Sequence, residues 1–155
     1  MDAYFQSKRE RASQVYTSRR TIYSPYFKEQ ITLNADGFHH LRYSARRERN
    51  KAEQILKFTL LPLGLKIIET AATLQEYRKL LGPVGDRARR DGAQAMKMIE
   101  WWGFVAIFVP QDVKVRVIVR RVGEGSLHFW SVMPYSKLRR GDRPQRLFTD
   151  GIEDE

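Results

Sequence analysis

Hydrophobic and polar residues alternate most regularly in the segment 113–122, VKVRVIVRRV. Valines occupy most of the odd positions of this segment, and the even positions are mostly basic. Because successive side chains of a β-strand point to opposite faces, the alternation predicts a half-buried strand with one apolar and one cationic face. The expected apolar face consists of Val113, Val115, Val117 and Val119, and the expected cationic face of Lys114, Arg116, Ile118 and Arg120.

Two further apolar segments, 98–109 and 126–133, flank this strand and are separated from it by short turns. Turns of this length join antiparallel neighbours, so the three segments are expected to form a β-meander. A shift of one residue at either turn would move the paired side chains to the other face. With three residues in each turn, the opposite pairs are Val119 and Phe129, Val117 and Ser131, Arg120 and His128, Arg116 and Ala106, and Arg120 and Trp102.

The first half of the chain has the periodicity and capping residues of helices. Asn34 begins a capping signal for a predicted helix over 37–49, and Asn50 is expected to cap a second helix that Pro62 ends. A third short helix is predicted over 73–81. Helices followed by strands indicate an α+β fold, with the helices on the valine face of a three- or four-stranded antiparallel sheet.

The length of 155 residues and the apolar content of 42% are typical of a single domain. Residues 1–20 are predicted to form a basic N-terminal arm, solvated or folded as a frayed helix. Residues 21–33 are expected to supply an edge strand or an extended lead-in. The segment GPVGDRARRDGAQ predicts an exposed loop, and residues 135–155 form a basic and then acidic C-terminal tail.

The formal net charge of +10 favours a polyanionic partner, and RNA is the one we expect. The sequence contains no apolar run of membrane-spanning length and no secretory signal, so a cytoplasmic location without a membrane partner is predicted. Cysteine is absent, which excludes disulfides, thiol catalysis and zinc sites of the cysteine type. The basic face would also suit an acidic inhibitor or antitoxin protein.

The three histidines are the candidate proton-transfer groups, because imidazole can donate or remove a proton near pH 7. His39 and His40 lie near the start of the helix predicted over 37–49, and His128 lies on the last predicted strand. In a metal-independent and cofactor-free cleavage of RNA, a base activates the 2′-hydroxyl, cations bind the phosphate and an acid protonates the leaving oxygen. The other candidates are Arg120, Arg116 and Lys114 for the phosphate, Trp102 and Trp130 for base stacking, and Ser131 and Tyr135 as hydrogen-bond donors.

The segments GFHHLRYS and KVRVIVRRVGEGSLHFWSVMP, within residues 31–134, resemble the ribonuclease superfamily of barnase, EndoU, colicin-type tRNases and RelE, especially its phage-associated branches. The resemblance implies an α+β nuclease with a helix-borne histidine, matched by His40 or His39, and a basic strand residue, matched by Arg120. It also implies a strand hydroxyl, matched by Ser131, although the alternation places Ser131 on the valine face. Arg42, in the first of these segments, is a further candidate substrate-binding residue.

Three other classes of function compete with this one. Glu100 followed by Asp112-Val113-Lys114 loosely resembles a magnesium-dependent nuclease arrangement, although Asp is also common in turns. The basic charge and the sheet aromatics would equally suit a non-enzymatic RNA- or ribosome-binding protein, or a protein-interaction module with an acidic partner. We favour the metal-independent endoribonuclease, with His40 preferred to His39 because it shares a helical stripe with Tyr43 and Arg47.

Overall fold

The computed structural model describes residues 2–44, 46–84, 95–109 and 112–135. Within these residues, three helices and six strands form an α+β fold, as predicted. In chain order the elements are α1 (Asp2–Thr17), β1 (Thr21–Ser24), β2 (Glu29–Thr32), α2 (Ala35–Arg42), α3 (Lys51–Thr70), β3 (Glu76–Val84), β4 (Ala95–Phe108), β5 (Val113–Val122) and β6 (His128–Pro134).

The six strands form one sheet with the order β1-β2-β6-β5-β4-β3. The predicted meander of β4, β5 and β6 is confirmed, and its strands are antiparallel. The expectation of a purely antiparallel sheet was wrong, because β2 runs parallel to β6 where Thr32 pairs with His128. The sheet is also larger than predicted, since the β1–β2 hairpin and β3 extend it at its two edges.

The valine face of β5 lies under the helices, as expected. Val115, Val117 and Val119 are fully buried in a core that also contains residues of all three helices. Ile118, on the opposite face of β5, belongs to a second and smaller apolar cluster with Trp101. The cationic face of β5 therefore also carries a small buried apolar cluster, against which Trp130 packs.

The predicted N-terminal arm is a helix that packs on α3. The side chains of Phe5, Ala12 and Tyr16 are buried, and the Phe5 ring lies 6.0 Å from that of Phe58. The expectation of a solvated arm was wrong because these three apolar side chains lie on one face of the helix, between the basic residues. The predicted C-terminal tail lies outside the described residues beyond Tyr135.

Both predicted asparagine caps are confirmed, since each side chain accepts a hydrogen bond from a backbone N–H three residues later. The helix that begins after Asn50 continues through Pro62 to Thr70, instead of ending before the proline. Proline removes one helical hydrogen bond. Pro62 lies on the exposed side of α3, where water can satisfy the freed carbonyl group, while Gly64 lies against Val132 of the sheet.

Two local predictions of helix were wrong. The segment predicted as a helix over 73–81 contains most of β3, which pairs along its whole length with β4. That pairing is non-local and outweighs the helical propensity of the segment. The helix predicted over 37–49 ends at Arg42, after which Tyr43 turns into extended backbone and forms a bridge with Glu48.

The pairing of β4 with β5 differs by one residue from the prediction. Phe108 lies opposite Val113, so Val109 belongs to the turn rather than to the strand. Consequently Trp101, and not Trp102, lies opposite Arg120. The longer turn ends at Asp112, which has a positive φ of 54°.

The pairing of β5 with β6 agrees with the prediction near the turn and departs from it further along. Arg120 lies opposite His128 and Val119 opposite Phe129, as expected. A β-bulge at Trp130 then places Ser131 opposite Ile118 instead of Val117. None of the helices in the described part of the chain is long and apolar enough to cross a membrane.

Candidate functional site

Trp130 lies at the centre of a cluster of basic and aromatic side chains from α2, from the segment between α2 and α3, and from β5 and β6. The imidazole of His40 stacks on its indole, with ring centroids 4.0 Å apart and planes inclined by 17°. The guanidinium carbon of Arg120 lies 3.5 Å from the indole centroid, and the His128 ring lies edge-on at 6.0 Å. We call His40, Arg49, Arg120, His128 and Trp130 the Trp130 cluster. Four of its five members were predicted site residues.

Arg49 contacts both the backbone and the imidazole of His40. The Arg49 Nε donates to the His40 carbonyl oxygen at 3.1 Å, and Nη2 lies 3.3 Å from the His40 Nε2. Because a guanidinium has only donors, Nε2 must accept, which places the proton of a neutral imidazole on Nδ1. Both side chains are almost fully buried. Arg49 also lies 3.8 Å from Glu53, so its charge is partly compensated.

The sequence prediction missed Arg49. It assigned residue 49 to the last turn of a continuous helix, and nothing in the local pattern distinguishes Arg49 from the other arginines of RRERN. The early end of α2 reverses the chain, and the backbone N–H of Arg49 donates to the carbonyl oxygen of Arg42. This reversal brings the guanidinium back to His40.

His128 is a neutral hydrogen-bonding residue in this environment. Burial, together with the positive charge of Arg120, lowers the pKa of His128 to about 4. Its Nε2 accepts a hydrogen bond from the Arg120 Nε at 3.1 Å, while Nδ1 lies 3.3 Å from the Ser126 carbonyl oxygen. Nδ1 therefore carries the proton. The imidazole orients the guanidinium of Arg120 and does not act as an acid near pH 7.

Arg120 is the member of the cluster best suited to bind an anion. Burial lowers its pKa to about 10, against the opposing effect of Asp36, so the guanidinium stays charged at pH 7. Within the described residues, no carboxylate lies within 4.0 Å of it and no group accepts a hydrogen bond from its Nη atoms. A half-buried cation without a carboxylate partner is costly, and a phosphate group would compensate it.

Lys114, Arg116 and Tyr135 form a separate basic group on the same face of β5. The Lys114 Nζ lies 4.9 Å and the Arg116 guanidinium 5.6 Å from the Tyr135 ring centroid. Arg116 is almost buried, donates to Glu76 at 2.8 Å and contacts the sulfur of Met133. Four residues along a strand span about 13 Å, so this group lies beside the Trp130 cluster and not within it.

Two predicted site residues lie in the interior. Trp102 packs in the main core, with its ring 5.1 Å from that of Phe27, because of the one-residue difference in the β4–β5 pairing. Ser131 is fully buried and accepts a hydrogen bond from the Nζ of Lys57 on α3 at 3.1 Å. The β-bulge at Trp130 shifts the pairing partner of Ser131 by one residue. Because Ser131 is fully buried, its hydroxyl cannot contact a substrate.

His39 and Arg42 lie on the same helix as His40 but make different contacts. His39 is exposed and stacks on Tyr43 at 4.4 Å. Arg42 donates to Gln54 at 3.2 Å and lies 3.7 Å from Glu48. Neither side chain contacts the Trp130 cluster in the described part of the chain. The preference for His40 stays a prediction, and the reason given for it was wrong, because Tyr43 stacks on His39.

The residues considered for a metal site make other contacts. Burial acts to raise the pKa of Glu100, but hydrogen bonds from Tyr77 and Arg121 outweigh it and leave that pKa lowered. Asp112 has the positive φ of a turn residue. Among the residues that the structure describes, no group of three or more His, Asp or Glu side chains could hold a metal ion.

No protein-family model matches the chain, and no match was found among the curated proteins or the solved structures. The resemblance to the barnase-like superfamily therefore stays a prediction from the sequence.

Proposed function

We propose that the protein is a metal-independent endoribonuclease whose site is the Trp130 cluster. The observation that supports this proposal most is the convergence of His40 and Arg120 on a single indole ring. One is an imidazole from the helical half of the chain and the other is a guanidinium from the central strand. A proton acceptor and a phosphate-binding cation are the first two groups that cleavage through the 2′-hydroxyl requires.

In the proposed reaction, Arg120 binds the scissile phosphate and His128 fixes the orientation of Arg120 through the Nε bond. His40 is the base. Its Nε2 is unprotonated, and the 3.3 Å contact from Arg49 is long enough to exchange for the 2′-hydroxyl of RNA. The 2′-oxygen loses its proton to His40 and attacks phosphorus, the bond to the 5′-oxygen breaks, and that oxygen takes a proton from water. The products are a 2′,3′-cyclic phosphate and a 5′-hydroxyl.

A non-enzymatic RNA-binding protein is the second candidate, and a specific observation favours it. Both imidazoles of the cluster are almost buried, and both Nε2 atoms face an arginine N–H. In this alternative the histidines only orient Arg49 and Arg120, and the two guanidinium groups bind phosphates without cleavage. The net charge of +10 supports an RNA partner in either case, and an RNA partner favours a cytoplasmic location.

Incubation of the purified protein with total RNA, with and without EDTA, separates the two candidates. Cleavage that EDTA does not inhibit, with cyclic phosphate at the new 3′ ends, supports the nuclease. Salt-sensitive binding without cleavage supports the binding protein. Cleavage that EDTA abolishes would contradict the proposal, because it would show that a metal ion performs the chemistry.

A further inference from the structure

A groove with a volume of about 180 Å³ runs between α1 and α3, on the side of α3 that faces away from the sheet. Its apolar lining consists of Ala12, Val15, Phe58 and Pro62. A cavity of about 150 Å³ can hold a benzene ring, so this groove has room for one large apolar side chain. It lies outside the Trp130 cluster and contains none of its residues.

The polar residues that line the groove are two cations and one hydroxyl: Lys8, Arg11 and Thr59. Lys8 and Arg11 are three residues apart on α1, so both project along the same side of the helix. None of the described residues that line the groove is acidic. The groove therefore fits a segment in which carboxylates flank one bulky apolar side chain.

We propose that residues 150–155 of this same chain, DGIEDE, bind in this groove. This segment has four carboxylates around a single bulky apolar residue, Ile152, in a chain whose net charge is otherwise strongly positive. The isoleucine side chain would occupy the apolar groove, and the carboxylates would pair with Lys8 and Arg11. The proposal does not depend on the RNA chemistry proposed above.

The length of the chain allows this contact. Asp150 follows Tyr135 by fifteen positions, and that length of chain can span up to about 50 Å. The groove is much closer, because α3 packs directly on β6, where Gly64 lies against Val132, and an α-helix is about 10–12 Å wide. A segment tethered in this way has an effective concentration in the millimolar range, so a weak contact is sufficient.

The absence of cysteine from the chain makes a cross-linking test direct. Gly151→Cys is combined with Thr59→Cys in the groove or, as a matched control, with Thr70→Cys at the exposed end of α3. Eleven residues of helix separate the two positions by about 16 Å. A disulfide needs α-carbons within about 7 Å, so only one position can be favoured. Mild oxidation of dilute full-length protein is followed by the mobility of the monomer on a denaturing gel.

The expected result is that the cross-link to position 59 forms at least about tenfold faster than that to position 70. Charge reversal by Lys8→Glu with Arg11→Glu removes this preference. Glu153→Lys with Asp154→Lys does the same and leaves the helices of the groove unaltered, so a folding defect cannot mimic the result. Equal rates at positions 59 and 70, or a preference that persists in both charge-reversed proteins, would overturn the proposal.

Discussion

The imidazole of His40 stacks on the indole of Trp130 with ring centroids 4.0 Å apart. This contact joins α2 to the β-bulge of β6 and places the only almost buried histidine of the described helices on the indole that Arg120 also contacts. The indole contacts both the imidazole and the guanidinium. Trp130 is therefore a structural centre of the site, and its stacking surface is largely used within the protein instead of being free for a base.

Replacement of Trp130 by Leu should reduce stability, because both ring contacts are lost together. A cation–π contact and an aromatic pair each contribute about 1 kcal/mol, so we expect the free energy of unfolding to fall by about 2 kcal/mol. Urea denaturation measures this change. The control is Tyr23→Leu at an exposed strand position, for which a change below about 0.5 kcal/mol is expected. Equal effects of the two substitutions would contradict the central position of Trp130.

Arg120 should contribute to RNA affinity through its charge. In Arg120→Met, the slope of log affinity against log salt should decrease by about 0.7, the value for one phosphate contact on single-stranded nucleic acid. Relative to Arg120→Met, Arg120→Lys should restore the salt slope, because lysine keeps the positive charge. It should restore less of the affinity, because lysine lacks the planar guanidinium that binds a phosphate through two N–H groups.

The control for this measurement is Arg121→Gln. Arg121 follows directly on β5 but already binds Glu100 at 2.7 Å. Its replacement should leave the salt slope unchanged. Titrations at four or more salt concentrations give each slope, and an unchanged slope in Arg120→Met would show that Arg120 binds no phosphate.

His128 should make the stability depend on pH. Its pKa is lowered to about 4 in the folded protein, from 6.5 in the unfolded chain, so the unfolded state binds more protons between these values. Stability should therefore fall as the pH decreases from about 6.5 to about 4, by up to about 3 kcal/mol from this group. Above pH 6.5, His128 should not change the dependence of the free energy of unfolding on pH.

Thermal melts of the parent and of His128→Gln between pH 4 and 7 test this expectation. The glutamine variant should lose less stability on acidification, even if it is less stable at pH 7. Parallel curves for the two proteins would contradict a buried, neutral His128.

Gly37 should be required for the position of α2. A β-carbon at this residue would lie 2.4 Å from the Phe129 carbonyl oxygen and 2.6 Å from the Tyr16 hydroxyl. Gly37→Ala should therefore move the helix away from the sheet and cost about 1–3 kcal/mol, despite the better helix propensity of alanine. Calorimetry measures the change, with the exposed Ala35→Ser as the control. A stabilised Gly37→Ala protein would contradict the close packing of α2 on β6.

The parts of the fold that depend on local pattern were predictable. The alternation of β5 is a local property, and it correctly predicted the buried valine face. The short turn after β5 correctly predicted the pairing of Arg120 with His128. The two asparagine caps were also predictable, because each depends on residues within three positions of the asparagine. The segment over 73–81 was not predictable in this way, because its strand conformation depends on pairing with β4, which follows in the chain.

The errors in the site have three physical causes. One additional residue in the β4–β5 turn places Trp101, instead of the predicted Trp102, opposite Arg120. A β-bulge shifts the pairing partner of Ser131 by one residue. Such shifts depend on turn geometry that alternation alone does not specify. Arg49 was missed for a third reason, since its contact with His40 depends on a chain reversal after α2.

The most direct test of the account is the rate of RNA cleavage by the parent protein and by His40→Ala in the presence of EDTA. We expect the parent to cleave RNA and to leave a cyclic phosphate, and His40→Ala to be slower by at least about 10²-fold, the lower range for a positioned base. His39→Ala, at the exposed neighbouring position, should cleave at close to the parent rate, and melts confirm that both variants are folded. A folded His40→Ala protein that cleaves as fast as the parent would contradict the proposed site, and a parent that binds RNA without cleaving it would contradict the nuclease itself.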